Sequence, residues 1–176
     1  MSTYIMSTYI PKTSTEQHRL NDNWVLWFHE MNSEDWTVES YKKLAEISTI
    51  EEFWSVYNHI PSVINGMWFL MRKEHNDKPI YPLWEDPTVI DGGAWLFKIH
   101  KIQADNVWLD LSLLLIGETI CDNPLEIMGL SISPKKYYVT IRVWNRDKNV
   151  VSKFLEKIEN VDFNEAIYKA HIDGDN

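Results

Sequence analysis

The sequence predicts a single α+β domain in which one antiparallel sheet is backed by helices. A chain of 176 residues is long enough to bury one core of its own. Several short aromatic and β-branched runs are interspersed with three segments of helical periodicity, a mixture typical of this fold class. No stretch rich in Pro, Gly or Ser divides the chain, so we expect one folded unit.

The N-terminal region predicts an arm followed by the first strand. Residues 1–22 are polar and lack periodicity, so we expect a flexible arm, then a folded domain at 23–172 and a disordered tail at 173–176. The arm opens with MSTYI repeated verbatim, a duplication too short for a structural repeat. Asn23–Phe28 (NWVLWF) predicts a strand, and Ser33–Ser40 predicts a loop.

The first helix has a clear N-terminal signal. Thr49 with Glu52 three residues later is the pattern of a capping box. Phe53 and Trp54 follow at helical spacing, and the helix should end at or before Pro61.

The middle of the chain predicts further strands. Asn65–Lys73 predicts one strand, and the segment 79–87 predicts a loop punctuated by prolines. Ala94–Lys101 alternates as a strand does. Leu130–Ser133 and Tyr138–Asn145 predict two strands joined by a short connection.

Two further helices complete the expectation. Asn106–Ile120 is amphipathic, and Lys148–Glu159 has apolar residues at helical spacing. Phe163–Ile172 is ambiguous between a helix and an edge strand.

The composition argues for some classes of protein and against others. With 17 basic and 26 acidic residues the formal charge is −9, which argues against a protein that coats nucleic-acid backbone. Nine tryptophans are many for this length and indicate stacking surfaces as well as core. Cys121 is the single cysteine, which suits a reducing cytoplasm. No apolar run approaches the roughly 18 residues of a membrane span.

The sequence lacks the usual catalytic patterns. Neither a GxxxxGK[ST] phosphate loop nor a GxGxxG turn occurs, and one cysteine with six scattered histidines does not supply zinc-ligand spacing. These absences weaken the enzyme interpretations, and we expect no metal and no cofactor.

Six tryptophan-containing strings occur in a fixed order: W-x2-W-F, F-W-x2-Y-N-H-I, P-x-W-E-D, G-G-x-W, W-L-x5-L-I-G-E and I-x-V-W. Together, from about His18 to about His171, they resemble the translation initiation factor 4E family. The resemblance implies a curved antiparallel sheet that holds the 7-methylguanosine cap of messenger RNA in a concave slot, with about three helices behind. It also implies that the protein recruits capped mRNA to the initiation machinery through a scaffold protein.

The resemblance nominates a base site. Trp36 and Trp84 would sandwich the base, whose positive charge at N7 favours stacking and cation–π attraction. Glu85 would accept the two N–H groups of the guanine edge, and Trp144 would contact the N7 methyl group. The alternative is that the two loop tryptophans pack back onto the domain and that Glu85 is an ordinary turn carboxylate.

The phosphate site departs from the family. Lys135 matches a phosphate-binding arginine of the family, but Thr140 stands where the family has a lysine, and Ala94 where it commonly has a basic residue. Arg142 lies two residues beyond Thr140 on the same strand face. We expect Lys135 and Arg142, with Lys136, to bind the triphosphate; the alternative is a solvated turn.

The resemblance also implies a scaffold-binding surface on the helical face, where repressor proteins would compete and where an exposed Trp54 would anchor a partner helix. Its seven matching positions are His18, Leu20, Ile50, Trp54, Leu109, Asp110 and Leu113. We expect a monomer. Two alternatives stay open: a cap-binding repressor that does not engage the scaffold, and a decapping hydrolase, which would need clustered metal-binding glutamates.

Overall fold

A computed structural model describes residues 17–150, 152–154, 158–159 and 161–172. This part of the chain contains nine strands and two α-helices. The strands are β1 (Arg19–His29), β2 (Lys42–Thr49), β3 (Met67–Arg72), β4 (Glu74–His75), β5 (Lys78–Pro79), β6 (Gly93–His100), β7 (Ile127–Pro134), β8 (Tyr138–Asn145) and β9 (Ile167–Ala170). The helices are α1 (Ile50–Tyr57) and α2 (Ala104–Ile116).

Seven of these strands form one antiparallel sheet, in the order β2-β1-β3-β7-β8-β6-β9. The strands β4 and β5 form a separate short hairpin. Both helices pack on the same face of the sheet, where the larger core lies. The predicted α+β class, with one antiparallel sheet backed by helices, is confirmed.

Side-chain alternation along the strands separates two apolar layers. On β8, Ile141 and Val143 join the helix-side core, whereas Arg142 and Trp144 project from the opposite face. A second cluster of buried side chains covers part of that opposite face: Val25, Trp27, Tyr41, Met67, Phe69, Met71, Ile80, Val89, Ala94, Met128 and Trp144. Because one face is closed by helices, any slot on the sheet must form on the other face.

The predicted capping box at the start of α1 is confirmed. The Thr49 hydroxyl accepts a hydrogen bond from the Glu52 N–H at 3.1 Å, and the Glu52 carboxylate accepts one from the Thr49 N–H at 3.1 Å. Such a cap typically stabilises a helix by about 1 kcal/mol. It fixes the point at which β2 ends and the helical face begins.

A buried arginine joins several elements at one end of the sheet. Arg72 is 3% exposed and forms ion pairs with Asp22 and with Glu118, the latter at 2.8 Å. Its Nε donates to the Ile127 carbonyl at 2.8 Å, and its guanidinium lies 4.7 Å from the centroid of the Trp24 ring. These contacts tie β1, β3 and β7 to the end of α2 independently of the slot.

The predicted third helix at Lys148–Glu159 is wrong for the described residues of that segment. Residues 148–150 form a turn, and Phe154 pairs in an antiparallel bridge with Cys121. The Phe154 ring stacks on Phe163 at 4.4 Å between centroids and meets Phe97 edge-on. This aromatic packing and strand-like pairing override the helical spacing of the apolar residues; residues 151, 155–157 and 160 lie outside the described part.

The structure adds one strand to the prediction, moves the start of another and resolves one ambiguous segment. The sequence gives no signal for β2, because it is an edge strand with few buried side chains and therefore little alternation. β1 begins at Arg19, so residues 19–22 of the predicted arm belong to the sheet, whereas residues 1–16 and the tail at 173–176 lie outside the described part. The ambiguous segment 163–172 contains β9, which is an edge strand.

Candidate functional site

A cavity of about 450 Å³ opens on the face of the sheet that the helices leave free. Side chains from β3, β6, β7, β8 and β9 and from two loops line it: Trp36, Tyr41, Met67, Phe69, Pro82, Trp84, Ala94, Leu96, Ser131, Ser133, Lys135, Arg142, Trp144, Lys169, Ala170 and His171. We call this cavity the slot. Its two exposed tryptophans come from the loops, and its basic side chains lie directly after β7, on β8 and on β9.

Trp36 is presented by an organised loop. Its indole is 53% exposed and stacks on the His29 ring, with the centroids 4.5 Å apart and the planes inclined by 6°. The two His29 nitrogens contact the carbonyls of Glu30 and Asp35 at 2.9 and 2.8 Å. The Asp35 carboxylate in turn accepts the Thr37 N–H at 2.9 Å. One face of Trp36 is therefore supported from behind.

Trp84 projects from the loop between β5 and β6. It is 49% exposed, and the neighbouring Asp86 is buried. The Asp86 carboxylate accepts hydrogen bonds from the N–H groups of Tyr81 and Thr88, at 2.9 and 2.8 Å. A carboxylate that closes a turn on itself in this way fixes the loop backbone. The backbone that carries Trp84 is therefore held in place, and part of its side chain is exposed to solvent.

Glu85 is exposed and directly follows Trp84 in the loop, but it is not among the residues that line the slot. Burial, and secondarily the Glu85 carboxylate, raise the pKa of Tyr41 to about 12. Within the described part of the chain no donor hydrogen-bonds to the Glu85 carboxylate. It is therefore an open acceptor in the loop that carries Trp84.

Trp144 forms part of the slot floor. Its Nε1 donates a hydrogen bond to the Ser131 hydroxyl at 2.9 Å, and its ring lies 4.9 Å from that of His171. Burial, and secondarily the Arg142 charge, lower the pKa of His171 to about 4. His171 is thus neutral near neutral pH, and its buried Nε2 has no hydrogen-bond partner among the described residues.

Three basic side chains line the slot: Lys135, Arg142 and Lys169. None of them forms an ion pair with a described residue. Burial lowers the pKa of the Arg142 guanidinium, as expected for a charge held away from water without a partner. Lys136, the other predicted phosphate ligand, is not among the lining residues; its Nζ lies 4.9 Å from the Tyr137 ring centroid.

The seven predicted scaffold-binding residues lie on or beside the helical face. Ile50 and Trp54 on α1 are 44% and 38% exposed. His18 hydrogen-bonds to Glu51 of α1 at 2.7 Å. The remaining positions belong to β1 and α2: Leu20, Leu109 and Leu113 pack against the helix-side core, and Asp110 is exposed.

The two helices of this face are electrostatically connected. Burial chiefly, and then the charges of Asp105 and Asp110 on α2, raise the pKa of Tyr57 on α1. Because the helices pack on the face that carries Ile141 and Val143, and Trp144 lines the slot on the other face, the helical face and the slot lie on opposite sides of one sheet.

A comparison with protein families matches residues 19–173 to the family described as eukaryotic initiation factor 4E. The chain belongs to this family. The match runs from the first residue of β1 past the end of β9, so it includes every element that lines the slot.

Related initiation factors are found in distant eukaryotes. The chain is 35% identical over 147 residues to eukaryotic translation initiation factor 4E1 of Drosophila melanogaster, covering 80% of this chain and 54% of that protein. It is 31% identical over 173 residues to translation initiation factor 4E-2 of Schizosaccharomyces pombe, covering 89% and 68%. The human type 1B factor is 30% identical, with 75% and 56% covered. The chain thus spans little more than half the length of the fly and human relatives.

Solved structures of family members share the fold. The complex of C. elegans eIF4E-3 with the 4E-binding protein Mextli and a cap analogue superposes with a TM-score of 0.68 at 27% identity, covering 76% of this chain and 77% of that one. Ascaris suum eIF4E-3 with the m7G cap gives 0.67 at 29%, with 75% of each chain covered. A schistosome eIF4E complexed with m7GpppG and 4E-BP also gives 0.67 at 29%, covering 76% and 74%.

Among the slot residues that can carry a positive charge, sequence reasoning missed Lys169 and His171. Both lie within the ambiguous segment 163–172, and neither belongs to a motif. Only the pairing of β9 with β6 brings them to the slot. In the described part of the chain we find no cluster of three or more His, Cys, Asp or Glu that could hold a metal ion, and no helix long and apolar enough to cross a membrane.

Proposed function

We propose that this protein binds the 7-methylguanosine cap of mRNA in the slot. The observation that carries the proposal is the pair of half-exposed indoles, Trp36 and Trp84, on separate organised loops that line one cavity. Two flat π faces on opposite loops suit a flat ligand, and an electron-poor, cationic base gains most from them. The related structures with cap ligands support this assignment.

The base would be recognised at its edges as well as its faces. Glu85 offers an unengaged carboxylate next to Trp84 in the chain, and guanine presents two adjacent N–H donors that such a group accepts as a charge-assisted pair. Trp144 on the floor would lie against the N7 methyl group, held in orientation by its bond to Ser131. A carboxylate close to a cationic base adds attraction that unmethylated guanine lacks.

The triphosphate would be bound by cations that have no competing partner. Lys135 and Arg142 line the slot without ion pairs to described residues, and Arg142 is partly desolvated. Anion binding then relieves an uncompensated charge instead of breaking a salt bridge. Lys136 would contribute at longer range from the same hairpin. Because these charges are local, the formal net charge of −9 does not oppose binding.

We propose that the helical face recruits a scaffold protein while the cap occupies the slot. Trp54 and Ile50 expose apolar surface on a short helix, and Asp110 adds an acidic contact nearby. An amphipathic partner helix binds such a surface through a few apolar anchors. The schistosome relative complexed with 4E-BP supports a partner site in this family.

The proposed role is therefore recruitment of capped mRNA in the cytoplasm by a monomer that catalyses no reaction, with repressor proteins competing for the helical face. The alternative is a repressor that holds caps without recruiting scaffold. Adding the protein to a translation extract depleted of its own cap-binding factor separates the two. Restored cap-dependent translation supports recruitment, whereas no restoration together with inhibition of an undepleted extract supports repression.

Tryptophan fluorescence provides the direct test of cap binding. Titration with 7-methyl-GTP should quench emission strongly, and titration with GTP should quench it weakly. The variants Trp84→Ala and Trp54→Ala form a matched pair, since each removes one exposed indole from opposite faces of the sheet. Trp84→Ala should weaken cap binding strongly, and Trp54→Ala should leave it unchanged. Equal responses to the two nucleotides, or equal effects of the two variants, would refute the proposal.

A further inference from the structure

The sheet register places a lysine directly across from a neutral position in the slot. Ala94 on β6 pairs with Trp144 on β8 and, on its other side, with Lys169 on β9. Directly opposite residues in antiparallel strands project from the same face, with Cβ atoms about 4.5–5.5 Å apart. All three residues line the slot. The Lys169 side chain therefore starts one strand away from where a basic side chain at position 94 would start.

A similar shift of a basic residue to a neighbouring position occurs at Thr140, the other position where the family has a basic residue and this chain does not. Thr140 on β8 is 7% exposed and carries no charge, but Arg142 follows two residues later on the same strand face. Ala94 and Thr140 are thus neutral, and in each case a basic residue, Lys169 or Arg142, stands at a neighbouring position on the same face of the sheet. The two displaced cations, Arg142 and Lys169, line one cavity together.

The charge of Lys169 has no partner among the described residues. The side chain is exposed, and no described residue accepts a hydrogen bond or ion pair from its Nζ. By contrast, Lys42 pairs with Glu30, and Lys73 pairs with Glu46. Lys98, which projects two rows further along β6, lies 5.5 Å from the Tyr138 ring centroid and is not among the slot residues.

We infer that Lys169 is a phosphate-binding residue of the slot and supplies from β9 the cation that position 94 lacks. The inference rests on the proposed cap-binding function. A lysine suits this position because its ammonium is a point charge on a flexible four-carbon stem, which can reach across to the space above Ala94. The edge strand β9 then belongs to the ligand site, and phosphate binding depends on a segment outside the tryptophan motifs.

Lysines also occur on edge strands because they discourage edge-to-edge pairing with other chains. β9 is an edge of the seven-stranded sheet, so this role competes with phosphate binding as the reason for Lys169. The two roles make different predictions. Loss of edge protection causes self-association without a change in cap affinity, whereas loss of a phosphate ligand lowers affinity only for ligands that carry phosphate.

The test uses Lys169→Gln, which removes the charge and keeps most of the side-chain length. Tryptophan quenching would be titrated with 7-methyl-GTP and with 7-methylguanosine, in the full chain. We expect Lys169→Gln to weaken binding of 7-methyl-GTP roughly 5- to 10-fold, as for loss of one solvated charge-assisted contact, and to leave binding of the nucleoside within about 2-fold. Lys153→Gln, an exposed lysine in the segment that pairs with Cys121, is the charge-matched control and should change neither affinity.

A rescue variant separates charge from folding. Because position 94 lies opposite position 169, Ala94→Arg in the Lys169→Gln background should recover at least half of the lost affinity for 7-methyl-GTP on a logarithmic scale. Equal weakening of nucleotide and nucleoside, or no weakening of either, would overturn the inference. The proposed function fails separately, if the unaltered protein does not prefer 7-methyl-GTP to GTP.

Discussion

The proposed function gives the two ends of the slot different recognition problems, and the two ends differ in how closely they follow the family pattern. At the base end, Trp36 and Trp84 stand at the positions that the family resemblance nominates and both line the slot, and Glu85 follows Trp84 in the same loop. At the phosphate end, two of the expected basic positions are neutral, and cations are found on neighbouring positions and strands. Stacking and edge recognition require particular groups in particular orientations, whereas a phosphate chain requires only positive charge within reach.

This difference predicts that substitutions at the base end are not compensated and have the largest effects. Trp84→Ala should weaken binding of 7-methyl-GTP by about 2 to 4 kcal/mol, since one face of a desolvated cation–π stack is lost. The same loss should appear with 7-methylguanosine, because phosphate contacts are untouched. Isothermal titration with both ligands measures it. A loss confined to the triphosphate ligand would place Trp84 at the wrong end of the slot.

Phosphate-end substitutions should show the opposite dependence on the ligand. Arg142→Ala should weaken 7-methyl-GTP by about 1.5 to 3 kcal/mol, the range for a hydrogen bond to a charged group, and should scarcely affect the nucleoside. The affinity of the variant should also depend less steeply on salt concentration, because one charge contact is missing. Arg142→Lys is the matched control and should retain most of the affinity. Equal weakening of both ligands would contradict the assignment.

The contrast between the two ends also explains which site residues can be predicted from the sequence. Trp84, Glu85 and Trp144 belong to the strings P-x-W-E-D and I-x-V-W, so their types and spacing nominate them. The capping box at Thr49 is predicted from local spacing in the same way. Lys169 and His171 reach the slot only through the register of β9 on β6, which local sequence does not encode.

The errors in the fold have a related cause. β2 escapes detection because an edge strand with few buried residues has no strong alternation. The segment around Phe154 has helical spacing, but its aromatic side chain packs on Phe163 and its backbone pairs with Cys121. In both cases partners distant in the sequence decide the conformation, so the local pattern is absent or misleading.

His171 lies at the junction of the two ends and makes stability depend on pH. Its pKa in the folded protein is lowered from 6.5 to about 4 by burial and by Arg142. Between these two values the unfolded chain binds more protons than the folded chain, so stability should fall as pH decreases from about 6.5 towards 4. We expect the loss to be about 1 to 2 kcal/mol, below the full linkage value because the ring is partly solvated.

Replacing His171 tests this linkage. His171→Gln removes the titrating group, so urea unfolding of this variant should depend less on pH between 4 and 6.5 than unfolding of the unaltered protein. His59→Gln is a control on the helical side, where the ring contacts the Ser55 carbonyl at 2.6 Å near the surface. Parallel pH profiles for His171→Gln and the unaltered protein would assign the dependence to other groups.

The smallest expected effect on cap affinity comes from the hydrogen bond between Ser131 and Trp144 in the slot floor. Ser131→Ala removes the hydroxyl that accepts the hydrogen bond of Trp144 Nε1 and leaves a buried donor without a partner. We expect a loss of about 1 to 2 kcal/mol in the free energy of unfolding. Binding should weaken only a few-fold, and equally for 7-methyl-GTP and 7-methylguanosine, because the Trp144 ring stays packed against Phe69 and His171. A loss confined to the triphosphate ligand would mean that Ser131 serves the phosphate end, and the division of the slot into two ends would then fail at its floor.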